Sequence, residues 1–273
     1  MSKTRLDILL TERGLAGSRE RARAVIMSGK VFVNGARAEK PGMQVASDSS
    51  VEVRGVPDYV SRGGQKLEKA LKFFDISAAE KVCIDCGAST GGFTDCLLQN
   101  GARLVYAIDV GYGQLAWQLR SDPRVITMER TNIRYVTAEM FEIRPELAVI
   151  DVSFISLALV LPVVRELLTD NGEAMCLIKP QFEAGRGMVG KKGVVREPET
   201  HRTVLENFVR NASASGFCVK GLTFSPVKGP EGNIEYLGWL ARQLGGAPGD
   251  TDETEPYATD IAVVVAESHR ELD

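Results

Sequence analysis

The sequence predicts a doubly wound α/β fold preceded by a small α+β domain. From residue 59 onward, short apolar runs alternate with amphipathic stretches of helical length, as they do where crossover helices join parallel strands. Before that point the chain shows two short helical patterns and then hairpin strands, and the turn-forming stretch Gly55-Val-Pro-Asp58 separates the two regions. We therefore predict a first domain at residues 1–58, a second at 59–245, and an acidic linker with a terminal segment at 246–273.

Local signals define the elements of the first domain. Ser18 is suited to cap a helix that runs to Met27. Asn34-Gly35 is a strong signal for a tight turn, so it predicts a hairpin. The other predicted elements are a first helix around the apolar stretch 6–10, a strand that begins at Val31 and a strand at 50–54.

The second domain is predicted to contain a sheet of seven strands. The strands are expected at 82–87, 104–109, 124–128, 147–151, 173–179, 217–224 and 234–240, and helices near 63–74, 91–100, 114–120, 157–169 and 198–213. Because the loop between the last two strands is too short for a crossover helix, we expect the sheet to end with an antiparallel strand. Residues 260–272 fit a terminal helix, although three consecutive valines suit a strand equally well.

A glycine-rich turn follows the first strand of this sheet. The strand ends in Asp85, and the next strand ends in Asp109, where a carboxylate can accept hydrogen bonds from ribose hydroxyls. The turn reads Asp-x-Gly-x-x-x-Gly-Gly, which is neither the dinucleotide fingerprint nor a phosphate-binding loop, and a plain structural turn is the alternative. An adenosyl cofactor without phosphate fits best, so we predict S-adenosylmethionine. Its candidate contacts are Asp85, Gly87, Ala88, Ser89, Thr90, Gly91, Gly92, Phe93 and Asp109.

Two of the five cysteines, Cys83 and Cys86, have the Cys-x-x-Cys spacing of a metal knuckle or a redox pair. A structural zinc site needs four ligands, and the sequence has no second such pair and only two histidines, His201 and His269. Redox motifs of this spacing usually lie at a helix N-terminus, whereas Cys83 falls within a predicted strand. We therefore expect ordinary buried cysteines and no metal.

Charged residues occupy three further strand ends. Asp151 and Lys179 end the fourth and fifth strands, and Glu235 begins the late antiparallel strand, so all three are expected at one edge of the sheet. Lys66 lies at the start of the helix that precedes the first strand and is placed to reach the same edge. A buried network of ion pairs is the alternative interpretation of this group.

The four residues Lys66, Asp151, Lys179 and Glu235 resemble the Lys-Asp-Lys-Glu tetrad of FtsJ-type ribose 2′-O-methyltransferases. The chain as a whole resembles the TlyA family, also called hemolysin A, which joins such a methyltransferase to an RNA-binding domain of the ribosomal protein S-four type. The matching stretches of the first domain are Arg5-Leu-Asp-Ile-Leu-Leu10, Ser18-Arg-Glu-Arg-Ala22 and the segment from Ile26 to Gly35. The resemblance implies a Rossmann-like seven-stranded methyltransferase sheet, and methylation of cytidine ribose 2′-hydroxyls in ribosomal RNA or ribosomal subunits.

A ribose hydroxyl is a weak nucleophile, so methyl transfer benefits from a base and from in-line placement of the reacting atoms. Lys179 is the candidate for accepting or orienting the hydroxyl proton, and the sequence leaves open which of the two it does. Lys66 is a candidate cationic neighbour, while Asp151 and Glu235 are expected to hold the geometry, with Asp151 close to the methionine part of the cofactor.

The N-terminal region is basic although the chain carries a net charge of −3. Residues 1–40 hold nine Lys or Arg against four Asp or Glu, which favours RNA binding over a merely solvated surface. The candidates for contacting RNA phosphates are Lys3, Arg5, Arg19, Arg21, Arg23 and Lys30, joined by Arg186, Lys191, Lys192 and Arg196 of the second domain.

Two other functions are compatible with the resemblance: a membrane-active cytolysin and an RNA-binding protein without catalysis. The sequence has neither an N-terminal apolar signal segment nor a run of 18 apolar residues, which predicts a cytoplasmic protein that does not span a membrane. The cofactor loop and the four charged residues favour an enzyme over a binding protein.

Overall fold

The computed structural model describes residues 3–16, 18–55, 58–190, 192–243 and 254–272, without the side chains of Arg186 and of residues 254–260. The chain divides into two compact units, Met1–Asp58 and Tyr59–Asp273. The predicted linker residues 246–253 and Lys191 lie outside the described residues.

The N-terminal unit is a small α+β structure. Ser18 caps the second helix by accepting a hydrogen bond from the Arg21 amide, as predicted. Asn34 and Gly35 both have positive φ angles, of 50° and 79°, which is the backbone of a tight hairpin turn. The elements are β1 (Lys3–Arg5), α1 (Leu6–Glu12), α2 (Arg19–Met27), β2 (Val31–Val33), β3 (Ala36–Ala38), β4 (Gln44–Ala46) and β5 (Val51–Val53). They form a pair β1-β4 and a sheet β3-β2-β5 around one apolar core.

The C-terminal unit is the α/β fold that the alternating pattern predicts. Its strands are β6 (Val82–Cys86), β7 (Leu104–Ile108), β8 (Val125–Met128), β9 (Leu147–Ile150), β10 (Glu173–Ile178), β11 (Phe217–Phe224) and β12 (Tyr236–Arg242). Its helices are α3 (Gly63–Phe74), α4 (Gly92–Gln99), α5 (Trp117–Arg120), α6 (Leu161–Leu167), α7 (Pro180–Glu183), α8 (Pro198–Ala214) and α9 (Thr254–Leu272). Most boundaries lie within three residues of the predicted ones.

The seven strands form one sheet in the order β11-β12-β10-β9-β6-β7-β8. Strand β12 runs antiparallel to both β10 and β11, which confirms its direction. The prediction that the sheet would end with this strand was wrong, because β12 lies between β10 and β11. Three of its consecutive residues, Tyr236, Leu237 and Gly238, are buried, and an interior position covers such a strand on both sides.

Two helices differ from the prediction. The stretch predicted as a helix at 157–169 begins with a short 3₁₀ turn, Leu157–Leu159, and becomes α-helical only at Leu161, next to Pro162. Proline is tolerated in the first turn of a helix, where the missing amide has no intrahelical partner. The same rule allows Pro256 in the first turn of α9, which begins at Thr254, six residues before the predicted start. The alternative of a terminal strand at 260–272 was wrong, because these residues are helical.

Candidate active site

The loop between β6 and α4 is held tightly against the ends of the neighbouring strands. The Gly87 and Ala88 amides donate to the carbonyl oxygen of Ile108 at 2.9 and 3.1 Å. Gly87 has a φ angle of +89°, and a Cβ atom there would lie 2.6 Å from the backbone oxygen of Asp151. Ser89 also adopts a positive φ angle, of 49°, which is uncommon for a residue with a side chain. Only glycine fits at position 87, so the glycine two residues after Asp85 in the sequence pattern has a steric cause.

Asp85 is a fully buried carboxyl group beneath this loop. One oxygen, Oδ2, accepts hydrogen bonds from the amide and the hydroxyl of Thr94 at 2.9 and 2.7 Å. The other, Oδ1, is buried without a hydrogen-bond partner among the described residues. Burial raises the pKa of Asp85 to about 7. A buried polar atom without a partner is costly, so Oδ1 is suited to receive a donor from a bound ligand.

The Asp85→Asn variant should show a weaker dependence of stability on pH than the wild type. Because the pKa of Asp85 is raised from 3.8 to about 7, the unfolded chain loses this proton before the folded chain does. The contribution of Asp85 to the free energy of unfolding is therefore present below about pH 4 and lost as the pH rises to about 7. A shift of this size corresponds to about 4 kcal/mol.

Urea denaturation between pH 4.5 and 8 measures this effect. Asparagine keeps the shape of the side chain and removes the titration, so the fall in stability over this range should flatten. Asp170→Asn is the control, because the side chain of Asp170 is 77% exposed and its replacement should leave the wild-type slope intact. Equal slopes for Asp85→Asn and the wild type would show that Asp85 is ionised in the folded protein throughout this range.

Asp109 closes the other side of the loop. Its carboxylate accepts hydrogen bonds from the Ser89 amide at 2.8 Å and from the Gly111 amide at 2.6 Å. Each carboxylate oxygen has a further acceptor site, so Asp109 can still accept from a hydroxyl group. Asp109, Asp151 and Gly87 line a cavity of about 680 Å³, within the usual size range of small-molecule sites.

These residues fit S-adenosylmethionine. The cavity places one carboxylate at the end of β7 for ribose hydroxyls and another, Asp151, at the end of β9. The unpartnered Oδ1 of Asp85 adds a buried acceptor beneath the loop. An adenosyl ligand without phosphate needs acceptors of this kind rather than an anion-binding loop.

The four charged candidates form two ion pairs. Lys179 Nζ lies 2.5 Å from Asp151 Oδ1 and donates a hydrogen bond to Ser153 Oγ at 2.9 Å. Lys66 Nζ lies 2.5 Å from Glu235 Oε2. The side chains of the second pair are 9% and 1% exposed, whereas that of Asp151 is 23% exposed. The Lys66–Glu235 pair is therefore the more deeply buried of the two.

The sheet brings the two pairs to one edge. Ile178, the last residue of β10, pairs with Tyr236, the first residue of the antiparallel strand β12. Lys179 follows Ile178 and Glu235 precedes Tyr236, so the two residues lie at the same edge of the sheet. Lys66 and Asp151 both line a cavity of about 220 Å³ that also touches the glycine-rich loop. This cavity and the 680 Å³ cavity share three lining residues, Gly87, Ser89 and Asp151, and so are adjacent.

Three residues beside Lys179 were absent from the sequence prediction. Phe154 is 90% exposed and has a positive φ angle of 62°, which is strained for an aromatic residue, and its ring lies 4.9 Å from that of Phe182. Glu183, the last residue of α7, accepts hydrogen bonds from Ser156 Oγ and the Leu157 amide at 2.7 and 2.8 Å, and so connects α7 to the segment after β9. Strain and exposure depend on the folded backbone, so local sequence patterns carry no signal for them.

The basic candidates of the N-terminal unit fall into two groups. Arg5 donates two hydrogen bonds to the buried carboxylate of Asp7, at 3.0 and 2.8 Å, and Arg19 donates a third at 3.2 Å. These contacts, led by the hydrogen bonds from Arg5, lower the pKa of Asp7 to about 2. Lys3 and Arg23 are exposed, while Arg21 and Lys30 are half-buried.

The Cys-x-x-Cys pair is buried. Both cysteines lie in β6, and burial raises the pKa of Cys83 to about 12 and that of Cys86 well above its usual value. Such thiols are poor nucleophiles and poor metal ligands, because thiolate is the reactive form. In the part of the chain that the structure describes, no three His, Cys, Asp or Glu residues are grouped so that they could hold a metal ion. None of the described helices is both long and apolar enough to cross a membrane.

Comparison with protein families identifies both units. Residues 59–242 match the FtsJ-like methyltransferase family. Residues 4–51 match the S4 domain.

Individual relatives match over almost the whole chain. The chain is 54% identical over 273 residues to "Putative rRNA methyltransferase YqxC" of Bacillus subtilis, covering 99% of this chain and 95% of that protein. It is 46% identical over 245 residues to "16S/23S rRNA (cytidine-2'-O)-methyltransferase TlyA" of Mycobacterium tuberculosis, covering 88% and 91% respectively. The solved structure "Putative hemolysin from Streptococcus thermophilus" superposes with a TM-score of 0.73 at 47% identity, over 99% of this chain and 97% of that one.

Proposed function

Because the chain belongs to the FtsJ-like methyltransferase family and carries an S4 domain, we propose that it methylates the ribose 2′-hydroxyl of cytidine in ribosomal RNA. The single observation that carries this proposal is the convergence of two Lys–carboxylate pairs beside a cavity that fits the cofactor. Two relatives named as rRNA methyltransferases, one of them specific for cytidine 2′-hydroxyls, support the choice of substrate.

The cofactor of the chain is S-adenosylmethionine. When bound, it supplies an electrophilic methyl group on its sulfonium. We propose that Asp109 accepts from the ribose hydroxyls, that the loop from Gly87 to Phe93 packs against the adenosyl part, and that Asp85 and Asp151 face the methionine part. No metal takes part in this scheme, because methyl transfer from a sulfonium needs no Lewis acid.

Lys179 is the proposed group that handles the proton of the attacking hydroxyl. Its Nζ is held by Asp151 Oδ1 and Ser153 Oγ. Both of these residues line the larger cavity, so Nζ is fixed beside it before substrate binds. In this position the charged Nζ can orient the hydroxyl by donating a hydrogen bond to its oxygen. Only in its neutral form can Nζ accept the hydroxyl proton, as the oxygen attacks the methyl carbon and the bond between that carbon and the sulfonium breaks. The contribution of such a group is typically 10²–10⁴-fold in rate.

The Lys66–Glu235 pair is proposed to fix the far side of the same edge. Glu235 directly precedes Tyr236, which pairs with Ile178, the residue before Lys179. Lys66 neutralises the buried charge of Glu235. The exposed ring of Phe154 is proposed to contact the target nucleotide, because an unstacked base gains energy by stacking on an aromatic side chain.

Methyl transfer to purified rRNA tests the proposed function. Small- and large-subunit rRNA would be incubated with the protein and radiolabelled cofactor in the presence of EDTA, and the methylated positions mapped by resistance of the ribose to alkaline cleavage. Label at a cytidine 2′-oxygen is the expected result. Binding of cofactor and RNA without transfer would favour a non-catalytic RNA-binding protein, and label on a base would contradict ribose methylation.

The S4 domain should supply much of the RNA affinity through its basic residues. The double variant Arg21→Gln/Arg23→Gln removes two charges, so the slope of log Kd against log salt should fall by about 1 to 2 and the affinity at low salt should weaken. Filter binding at several salt concentrations measures both, and calorimetry should show unchanged cofactor affinity. Arg103→Gln, an exposed arginine at the opposite end of β7 from Asp109, is the control. An unchanged slope for the double variant would exclude these two residues from the RNA interface.

A further inference from the structure

An exposed surface of aromatic and arginine side chains borders the cofactor cavity. It lies on the loops that follow β7 and β8, and we define the aromatic–arginine surface as Tyr112, Arg130, Arg134 and Tyr135. The two tyrosines are 69% and 74% exposed. The Arg130 guanidinium carbon lies 4.3 Å from the centre of the Tyr112 ring, and that of Arg134 lies 5.5 Å from the Tyr135 ring. Two tyrosine rings, each with a guanidinium group beside it, are thus exposed to solvent.

Hydrogen bonds from backbone amides hold the two loops together. The Arg130 amide donates to the Gly111 carbonyl at 3.0 Å, and the Glu129 carboxylate accepts from the Gly113 amide at 2.8 Å. Glu129 is also paired with Arg120, which lowers the pKa of Glu129. Arg130 has a positive φ angle of 53°, a conformation that costs energy for a residue with a side chain. The surface is therefore formed before any partner binds.

The two arginines of the surface keep their charge available. Among the described residues, no carboxylate oxygen lies within 4.0 Å of a guanidinium nitrogen of Arg130 or Arg134. The neighbouring Arg120 and Arg124 are instead neutralised by Glu129 and Asp122.

The surface is continuous with the reaction site. Arg134 lines the 680 Å³ cavity together with Asp109, Asp151 and Phe154. Tyr135 directly follows Arg134, and Tyr112 lies two residues after Val110, which also lines this cavity. An RNA chain that leaves the cavity past Arg134 or Val110 therefore has these rings close to its path.

We propose that the aromatic–arginine surface binds unpaired nucleotides of the RNA substrate that flank the methylated one. This inference rests on the proposed function. Bases stack on Tyr112 and Tyr135, and the two guanidinium groups contact the adjacent phosphates. Exposed aromatic rings beside unpaired arginines are the combination that binds single-stranded RNA, since every base has a face that stacks and every nucleotide carries a phosphate.

Two substitutions separate stacking from charge. Tyr112→Ala should weaken the affinity for purified rRNA about tenfold and leave the salt slope unchanged, because stacking releases no ions. Arg130→Gln should lower the salt slope by about 0.7, the value for one phosphate of a single strand. Phe73→Ala is the control, because Phe73 is an aromatic residue 61% exposed at the far end of α3, and it should keep wild-type binding. Cofactor affinity, measured by calorimetry, should be the same in all variants.

The measurements on purified rRNA and on intact ribosomal subunits distinguish the outcomes. The inference is overturned if Tyr112→Ala and Arg130→Gln bind rRNA as the wild type does. It is also overturned if they lose affinity for subunits but not for purified rRNA, since the surface would then contact a ribosomal protein. If the wild type itself binds and methylates neither rRNA nor subunits, the proposed function fails and the inference fails with it.

Discussion

The Lys179→Met variant is expected to lose methyl-transfer activity by roughly 100-fold or more in kcat while keeping its affinity for cofactor and RNA. Methionine preserves most of the length of the side chain and removes both the charge and the proton acceptor. Asp151, its partner, has a side chain 23% exposed, so water can solvate the carboxylate that is left behind. The loss of stability should therefore be small. Single-turnover transfer to rRNA and thermal melting measure the two effects.

Lys81→Met is the matched control for this variant. Lys81 is likewise paired with a carboxylate, Glu173 at 2.8 Å, although its side chain is half-buried and it precedes β6 at the opposite edge of the sheet. Its replacement should leave the transfer rate unchanged. A folded Lys179→Met protein with wild-type transfer would remove Lys179 from the mechanism.

The Lys66→Met variant is expected to be destabilised by about 3–5 kcal/mol, because it leaves the charge of Glu235 buried without a partner. Glu235 is 1% exposed, so water cannot replace the lost cation. Urea denaturation followed by tryptophan fluorescence measures this effect in the C-terminal unit alone, since both tryptophans, Trp117 and Trp239, lie there.

The double variant Lys66→Met/Glu235→Gln separates a structural from a catalytic role of this pair. It contains no buried unpaired charge, so most of the lost stability should return. If the pair orients the reacting groups, methyl transfer should stay low in the double variant although its fold is restored. Recovery of stability and activity together would mean that the pair only supports the fold, which is the ion-pair alternative that the sequence left open.

Several elements of the fold could be predicted because their causes are local. Alternation of apolar runs with amphipathic segments reflects strands buried on both faces and helices buried on one. The cap at Ser18 and the hairpin turn at Asn34-Gly35 depend on side chains and backbone angles within a few residues. The same is true of Gly87, whose spacing from Asp85 predicted the turn that the fold requires.

Other elements could not be predicted because they depend on residues far apart in the chain. Strand β12 lies between β10 and β11, where its apolar residues are buried between two neighbouring strands. The short loop before β12 predicted its antiparallel direction but did not show that it would lie inside the sheet. The pairing of the lysines is a second case. The sequence suggested Lys66 as a cationic neighbour of Lys179 and did not indicate that Lys66 pairs with Glu235, 169 residues away.

The sequence by itself determined the fold class, the glycine-rich turn after β6 and the strand ends that carry charge, because the carboxyl ends of parallel strands meet at one edge of a sheet. Only the tertiary structure decided which lysine pairs with which carboxylate, and that Asp85 Oδ1 is buried without a partner among the described residues. It also decided that Phe154, Tyr112 and Tyr135 are exposed. These features follow from distance and burial in the folded chain. Both are set by the packing of segments far apart in sequence, so no local pattern records them.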